Sequence, residues 1–151
     1  MFLDVGNIEA PLVFDHHYPG STALSTASLV LDRAAELIAL AEICDDIVVV
    51  THENPDLDAI VSSWIASKIL SGDSPHAEYL AKLAKYVDKI DQGYTAIRSA
   101  DQLPLYVIMA TSHESLGSAA NRASNEQILH IGHELLESLY ISQFDEFTGI
   151  P

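Results

Sequence analysis

His52, Asp56 and Asp58 fall close together in the stretch Thr51-His52-Glu53-Asn54-Pro55-Asp56-Leu57-Asp58-Ala59. Imidazole nitrogens and carboxylate oxygens are hard-to-borderline ligands, suited to divalent cations such as Mn²⁺, Fe²⁺ or Zn²⁺. A second group, Asp15-His16-His17, sets a carboxylate beside two imidazoles, and a carboxylate in that position orients a ring for metal binding. Asp4 and Asp91 are isolated and, taken singly, read as turn and helix-end aspartates. Asp58 also has an ordinary role open to it, as the cap of a helix beginning near Ala59. The combination points to divalent-metal chemistry. Two cations about 3.5–4 Å apart can share a water, lower its pKa and steady both the attacking and the leaving oxygen of an in-line displacement.

Such residues work only if the chain brings them together. Ile47-Val48-Val49-Val50 is a β-branched run that leads into the first motif, and Ile60, Val61, Trp64, Ile65, Ile69 and Leu70 follow it at helical spacing. The pattern predicts buried strand, polar loop and amphipathic helix. Its ligands then stand at a strand's carboxyl end, where open α/β sheets build sites. Phe2-Leu3-Asp4-Val5, ended by Gly6-Asn7, and Leu12-Val13-Phe14, ended by the Asp15-His16-His17 turn, are two further strands. Ser21 or Thr22 is the expected cap of one long helix reaching about residue 43. Gly72-Asp73-Ser74-Pro75 separates the central helix from another over about 76–90, with Leu80, Leu83, Ala84, Val87 and Ile90 inward and Asp91-Gln92-Gly93 at its end. Helices are also expected over about 103–113 and 125–141, while 144–151 has no strong pattern. The sum is one α/β domain over 1–151, a small and mainly parallel sheet covered by helices.

Composition supports a folded globule: 151 residues are enough for one core, and 48% are hydrophobic. No apolar run approaches the roughly 18–20 residues of a membrane span, and the N-terminus lacks the basic region of a signal peptide. Cys44 is the only cysteine, so no internal disulfide forms, and a reducing cytoplasm is the expected compartment. The 22 acidic residues outnumber 7 basic ones, a formal net charge of -15. Long nucleic acid needs a basic stripe to displace counterions, so a general nucleic-acid binder is disfavoured. A small anionic substrate would need bound metal to offset the carboxylates it approaches.

Asp15-His16-His17 together with His52-x-Asn54-Pro55-Asp56-x-Asp58-Ala59 resembles the DHH phosphoesterase superfamily, which includes family II inorganic pyrophosphatases, RecJ-type exonucleases, exopolyphosphatases and oligoribonucleases. Asp4-Val5-Gly6, Phe14-Asp15-His16-His17 and Ile90-Asp91-Gln92-Gly93 look like the Myg-type branch. The resemblance covers about 2–93. It implies a parallel α/β domain that hydrolyses phosphoesters or phosphoanhydrides of a small phosphorylated compound or short nucleotide with two divalent metals, commonly Mn²⁺, with Mg²⁺ or another divalent ion as substitutes. It further implies that His52 and Asp56 hold one metal, that Asp58, His16 and Asp91 hold the other, and that Asp4 bridges both. Asp15 would orient a histidine and His17 would face the substrate phosphate.

Two features depart from the family. There the HxNPDxD loop precedes the DHH triplet, whereas here it follows it, which implies either a circularly permuted domain or two separate sites. Asp91, standing where the last metal aspartate is expected, favours one permuted site. The usual C-terminal domain with its glycine-rich, histidine- or arginine-bearing phosphate clamp has no counterpart: Gly117 is isolated, and Arg98 and Arg122 are the only late arginines. An alternative is therefore a metal-binding or regulatory module that works beside a partner or as a homo-oligomer. A weaker one is an exonuclease, which the charge balance opposes.

Other candidates have plainer explanations. His130 and His133 share one side of a helix and read as a surface or half-buried pair. His113-Glu114 reads as a helix end, with His113 a candidate substrate contact, and His76 as a solvent-facing residue. Cys44 reads as a core thiol. The small hydroxyls of Ser21 to Ser28 fit close helix packing, or a helix N-terminus offering N–H groups to phosphate. Lys82, Lys85 and Lys89 form a solvated face.

Overall fold

The computed structural model describes residues 1–53, 55–72, 77–92 and 125–141. Strand β1, Phe2–Leu3, lies parallel to β2, Val13–Phe14, in the register Phe2 to Val13 and Leu3 to Phe14. On its other side β1 bridges in parallel to Val50. There the Leu3 N–H donates to the Val50 carbonyl at 2.8 Å, and the Val50 N–H to the Met1 carbonyl at 2.9 Å.

The sheet is smaller than the sequence predicts, and the backbone explains why. Asp4 has φ +56° and Leu12 φ +60°, so β1 ends where Asp4 enters the left-handed region and β2 starts only after Leu12 leaves it. A two-residue β1 offers little ladder to residues 47–50, and the strand expected there is reduced to the single bridge at Val50. Val48 is accordingly 72% exposed. The protein is mostly helical, with a small parallel sheet.

The single helix expected from residue 21 or 22 to 43 is two helices, α1 at Thr26–Asp32 and α2 at Ala34–Ile43. Ser25 caps α1, its Oγ accepting from the Ser28 N–H at 3.2 Å. The break falls at Arg33, whose guanidinium lies 4.2 Å from the centre of the Phe14 ring and donates to the Val13 carbonyl at 3.1 Å. The Arg33 backbone, at φ −105° and ψ 21°, leaves the helical region and divides the two helices.

Helix α3, Leu57–Leu70, is buried continuously from Leu57 to Ala66. Its polar Asp58, Ser62 and Ser63 are buried with hydrogen-bond partners, so the segment can lie inside, and α3 packs on α1, α2, α4, α5 and β1. Its cap is Asp56, whose Oδ1 accepts from the Ala59 N–H at 2.9 Å. Asp58, expected in that role, sits two residues further in, in the first turn, and its carboxylate accepts from the Thr26 and Ala27 N–H groups instead. Helix α4, Ala77–Asp91, buries Leu80, Leu83, Ala84 and Val87 as its pattern predicts, with Ile90 half-buried. Helix α5, Asn125–Ile141, buries Ile128, Leu136 and Leu139 and approaches α3 at Gly132. No helix among the described residues is long and apolar enough to cross a membrane. The helix expected over 103–113, the residues His76, Arg98, His113, Glu114, Gly117 and Arg122, and the tail at 144–151 lie outside the described residues.

Candidate metal centre

The carboxyl ends of β1 and β2, the turn after Val50 and the facing ends of α1, α3 and α4 meet at one place. Asp4 follows β1 directly. Aspartate tolerates the left-handed conformation better than most residues because its short polar side chain bonds locally. Its N–H still donates to the Phe14 carbonyl at 2.8 Å, so the ladder is kept while the carboxylate turns into the cluster. Asp15, His16 and His17 follow β2, His52 follows Val50, Asp56 and Asp58 begin α3, and Asp91 ends α4.

The side chains form three overlapping groups, each with ligand atoms within 4.8 Å of one another: Asp4, Asp15, His16 and His17; Asp4, His52 and Asp56; and His16, Asp58 and Asp91. Asp4 belongs to the first two and His16 to the first and third. Asp4 Oδ2 is 3.2 Å from His52 Nε2, which is 3.6 Å from Asp56 Oδ1. Asp4 Oδ1 is 3.6 Å from the Nδ1 atoms of both His16 and His17. His16 Nδ1 is 3.4 Å from Asp58 Oδ2, and its Nε2 is 3.0 Å from Asp91 Oδ2. All eight residues that the sequence singles out for the site are brought together. The loop and the triplet share one location despite their order in the chain. A cavity of about 100 Å³ lined by Asp56, Asp58, Asp91, Leu57, Val87 and Ile90 adjoins them. A roomier groove of about 560 Å³ among α2, α3 and α4 is lined mainly by apolar side chains and lies away from this chemistry.

Asp4, Asp15 and Asp58 are nearly inaccessible, at 6%, 1% and 2% exposure, so each carboxylate needs compensation. Asp15 accepts from the Asn7 N–H at 2.6 Å, the His17 N–H at 2.9 Å and His17 Nδ1 at 2.8 Å. Burial would raise its pKa, but these bonds outweigh burial and hold it below the ordinary value. Asp15 thus orients His17. Asp58 accepts from the Thr26 and Ala27 N–H groups at 2.6 and 2.8 Å. Burial first, and the charge of Asp4 second, nevertheless push Asp58 up to about 8. The hydrogen bonds to Asp4 and Asp56 lift His52 to about 10. Burial works against a charge on His16, yet the bond to Asp91 and the charges of Asp58, Asp91 and Asp4 raise it to about 8. Asp56 is lowered: burial opposes its charge, but His52 and the Ala59 N–H prevail.

The donor set is all oxygen and imidazole nitrogen, crowded enough that one carboxyl group is driven towards its protonated form and two imidazoles towards theirs. A set of this chemistry could hold a divalent metal ion.

Several contributors had escaped sequence reasoning. Thr26, fully buried, donates to Asp4 Oδ1 at 3.0 Å and stands 3.1 Å from His16 Nδ1. Asp88 accepts from Ser25 Oγ at 2.6 Å and Ser28 Oγ at 2.7 Å, tying α4 to the start of α1. The Ser-rich start of α1 was their only local signal. The N–H groups there do not await a phosphate, because Asp58 takes those of Thr26 and Ala27 and Ser25 takes that of Ser28. His133 lies against Ser63, with 2.8 Å between Nε2 and Oγ, and burial lowers its pKa; His130 pairs with Glu134 at 3.4 Å. Neither joins a ligand group among the described residues. Cys44 is half-buried at the end of α2. Comparison of the chain with protein-family models, with curated proteins and with solved structures finds no match in any of the three.

Proposed function

We propose that the protein is a metal-dependent hydrolase of phosphoester or phosphoanhydride bonds in a small phosphorylated compound or short nucleotide. The observation that carries this is the overlap of the ligand groups: Asp4 is common to the His52–Asp56 side and the His16 side, as the bridging ligand of two cations would be. His52 and Asp56 would hold one cation, His16, Asp58 and Asp91 the other. Mn²⁺ suits the mixture of carboxylate and imidazole, with Mg²⁺ or another divalent ion as substitutes. When bound, a metal pair supplies an acidified water and charge stabilisation at phosphorus.

The chain's own groups do the rest. Asp15 holds Nδ1 of His17, which leaves Nε2 of that half-exposed ring to meet a substrate phosphoryl oxygen. Asp58 is braced by two backbone N–H groups, which fix the position of its carboxyl group. The acidic surface, net charge -15, disfavours long polyanions and leaves small substrates. A cytoplasmic setting fits the single cysteine.

The test is Mn²⁺ stoichiometry of the wild type and of Asp56→Ala, together with Mn²⁺-dependent hydrolysis of bis(p-nitrophenyl) phosphate and inorganic pyrophosphate. Two Mn²⁺ per chain, reduced by the substitution, with turnover, is the expected result. Two Mn²⁺ with no turnover would make the protein a metal-binding module acting with a partner or a second copy. No Mn²⁺ bound by folded protein would remove the hydrolase proposal.

A further inference from the structure

Thr26 touches three of the proposed ligands at once. Its Oγ1 is 3.0 Å from Asp4 Oδ1 and 3.1 Å from His16 Nδ1, and its N–H donates to Asp58 Oδ2 at 2.6 Å. Capping does not explain the hydroxyl, since Ser25 already caps α1. A threonine hydroxyl has one hydrogen to give and lone pairs to receive with. A carboxylate only accepts, so the hydrogen goes to Asp4 and a lone pair faces His16.

His16 Nδ1 also looks at Asp58 Oδ2 at 3.4 Å and Asp4 Oδ1 at 3.6 Å. An unprotonated Nδ1 would set its lone pair against three oxygens, whereas a hydrogen on Nδ1 turns the same geometry into attraction. The lone pair of the neutral ring is then on Nε2, 3.0 Å from Asp91 Oδ2. In the imidazolium, Nε2–H donates to Asp91; a cation replacing that hydrogen would have Nε2 and Asp91 Oδ2 as neighbouring ligands.

We infer that Thr26 is a positioning residue whose hydroxyl fixes His16 in its Nδ1–H form and so makes Nε2 the coordinating nitrogen, paired with Asp91. The identity of the cation rests on the function proposed above; the position of the hydrogen does not. Outer-shell partners that fix an imidazole's tautomer typically change metal affinity about 10–100-fold when removed.

Thr26→Val keeps the β-branched shape and the backbone N–H and deletes only the hydroxyl, while Thr26→Ser keeps it. Mn²⁺ titration followed by electron paramagnetic resonance should show one of two sites weakened about 10–100-fold in Thr26→Val and restored in Thr26→Ser. Long-range ¹H–¹⁵N spectra of metal-free protein in alkaline buffer should place the His16 hydrogen on Nδ1 in the wild type and distribute it over both nitrogens in Thr26→Val. A wild-type hydrogen on Nε2, or a folded Thr26→Val with unchanged spectra and Mn²⁺ affinities, would overturn the inference. If Thr26→Val does not fold, the wild-type spectrum decides. If the wild type binds no Mn²⁺, the hydrolase proposal falls and the same spectrum still judges Thr26.

Discussion

Asp4 and His52 meet at 3.2 Å, Oδ2 to Nε2, from the ends of two chain segments that pair in parallel. The contact ties the HxNPDxD loop to the end of β1, and through Asp4 Oδ1 to His16 and His17. Asp4→Asn keeps the side-chain shape and the left-handed preference but removes the charge shared between the ligand groups. Both Mn²⁺ ions are expected to be lost or weakened together, with the far-ultraviolet circular dichroism preserved. Loss of only one would separate the two sides and remove Asp4 as a bridge.

Asp56 has two roles that one substitution can separate. As N-cap it accepts from the Ala59 N–H, worth about 0.5–2 kcal/mol, and it stands beside His52 as a proposed ligand. Asp56→Ser retains a capping oxygen and is expected to melt near the wild type while losing one Mn²⁺. Asp56→Ala should lose both the ion and about 0.5–2 kcal/mol of stability. Equal melting of the two variants would show that the cap contributes little here.

The shifted pKa values give the metal-free protein a definite pH profile. His52 and His16 are raised above their ordinary value, to about 10 and about 8, so their charged forms favour the fold. That contribution is complete below about pH 6.5 and is lost as pH rises through the folded values. Asp58, raised to about 8, acts in the same direction, because the folded state keeps a proton that the unfolded state releases near pH 4. Asp15 and Asp56 are lowered, so their contribution is lost on acidification below about pH 4. Metal-free protein should therefore melt lower at pH 9 than at pH 6. Cations bind the deprotonated ligands, so Mn²⁺ affinity should rise over the same interval, with proton release measurable by calorimetry in buffers of different ionisation enthalpy. A metal-free melting temperature that climbs from pH 6 to 9 would contradict these assignments.

Residue types and their spacing made the members of the cluster legible: Asp4, His16, His52, Asp56, Asp58 and Asp91 stand at ends of elements that the apolar pattern located. The extents of α4 and α5 were legible for the same reason, since a stripe of buried residues repeats along each. What the sequence hid is tertiary. No glycine or proline marks the break at Arg33, whose side chain reaches Val13 and Phe14. Left-handed Asp4 and Leu12 shorten the strands without altering their hydrophobic pattern. Asp56 takes the cap that Asp58 also suited, because Asp58 reaches instead across to α1. A threonine at the start of a helix looks ordinary until it is found between Asp4 and His16.

His17 is expected to matter for turnover more than for metal content. Its ring is held by Asp15 and is 52% exposed. His17→Ala should retain two Mn²⁺ and lose about 10²–10³ in kcat, the usual effect of removing one donor to developing charge. Asp15→Asn, which weakens the grip on Nδ1, should lower kcat in the same direction by less. Loss of an ion in His17→Ala would make His17 a ligand, consistent with its place in the group around Asp4.

The packing of α5 on α3 gives a prediction about the scaffold. A Cβ added at Gly132 would come 2.5 Å from Ile60 Cγ2, and Ile60 is fully buried just beyond Asp58. Alanine gains about 1 kcal/mol over glycine in helix propensity, but overpacking a filled core costs about 1–3 kcal/mol. The contact involves a branched, immobile side chain rather than a flexible tip, so overpacking should prevail and Gly132→Ala should lower Tm by a few degrees, at about 2–4 °C per kcal/mol for a domain of this size. Combining it with Ile60→Ala should relieve the clash, giving a coupling of about 0.5–3 kcal/mol in a double-mutant cycle. Strict additivity would place the helices further apart than this contact requires. Because Ile60 and Asp58 share the first turns of α3, the single variant should also weaken Mn²⁺ binding, and the double variant should recover it.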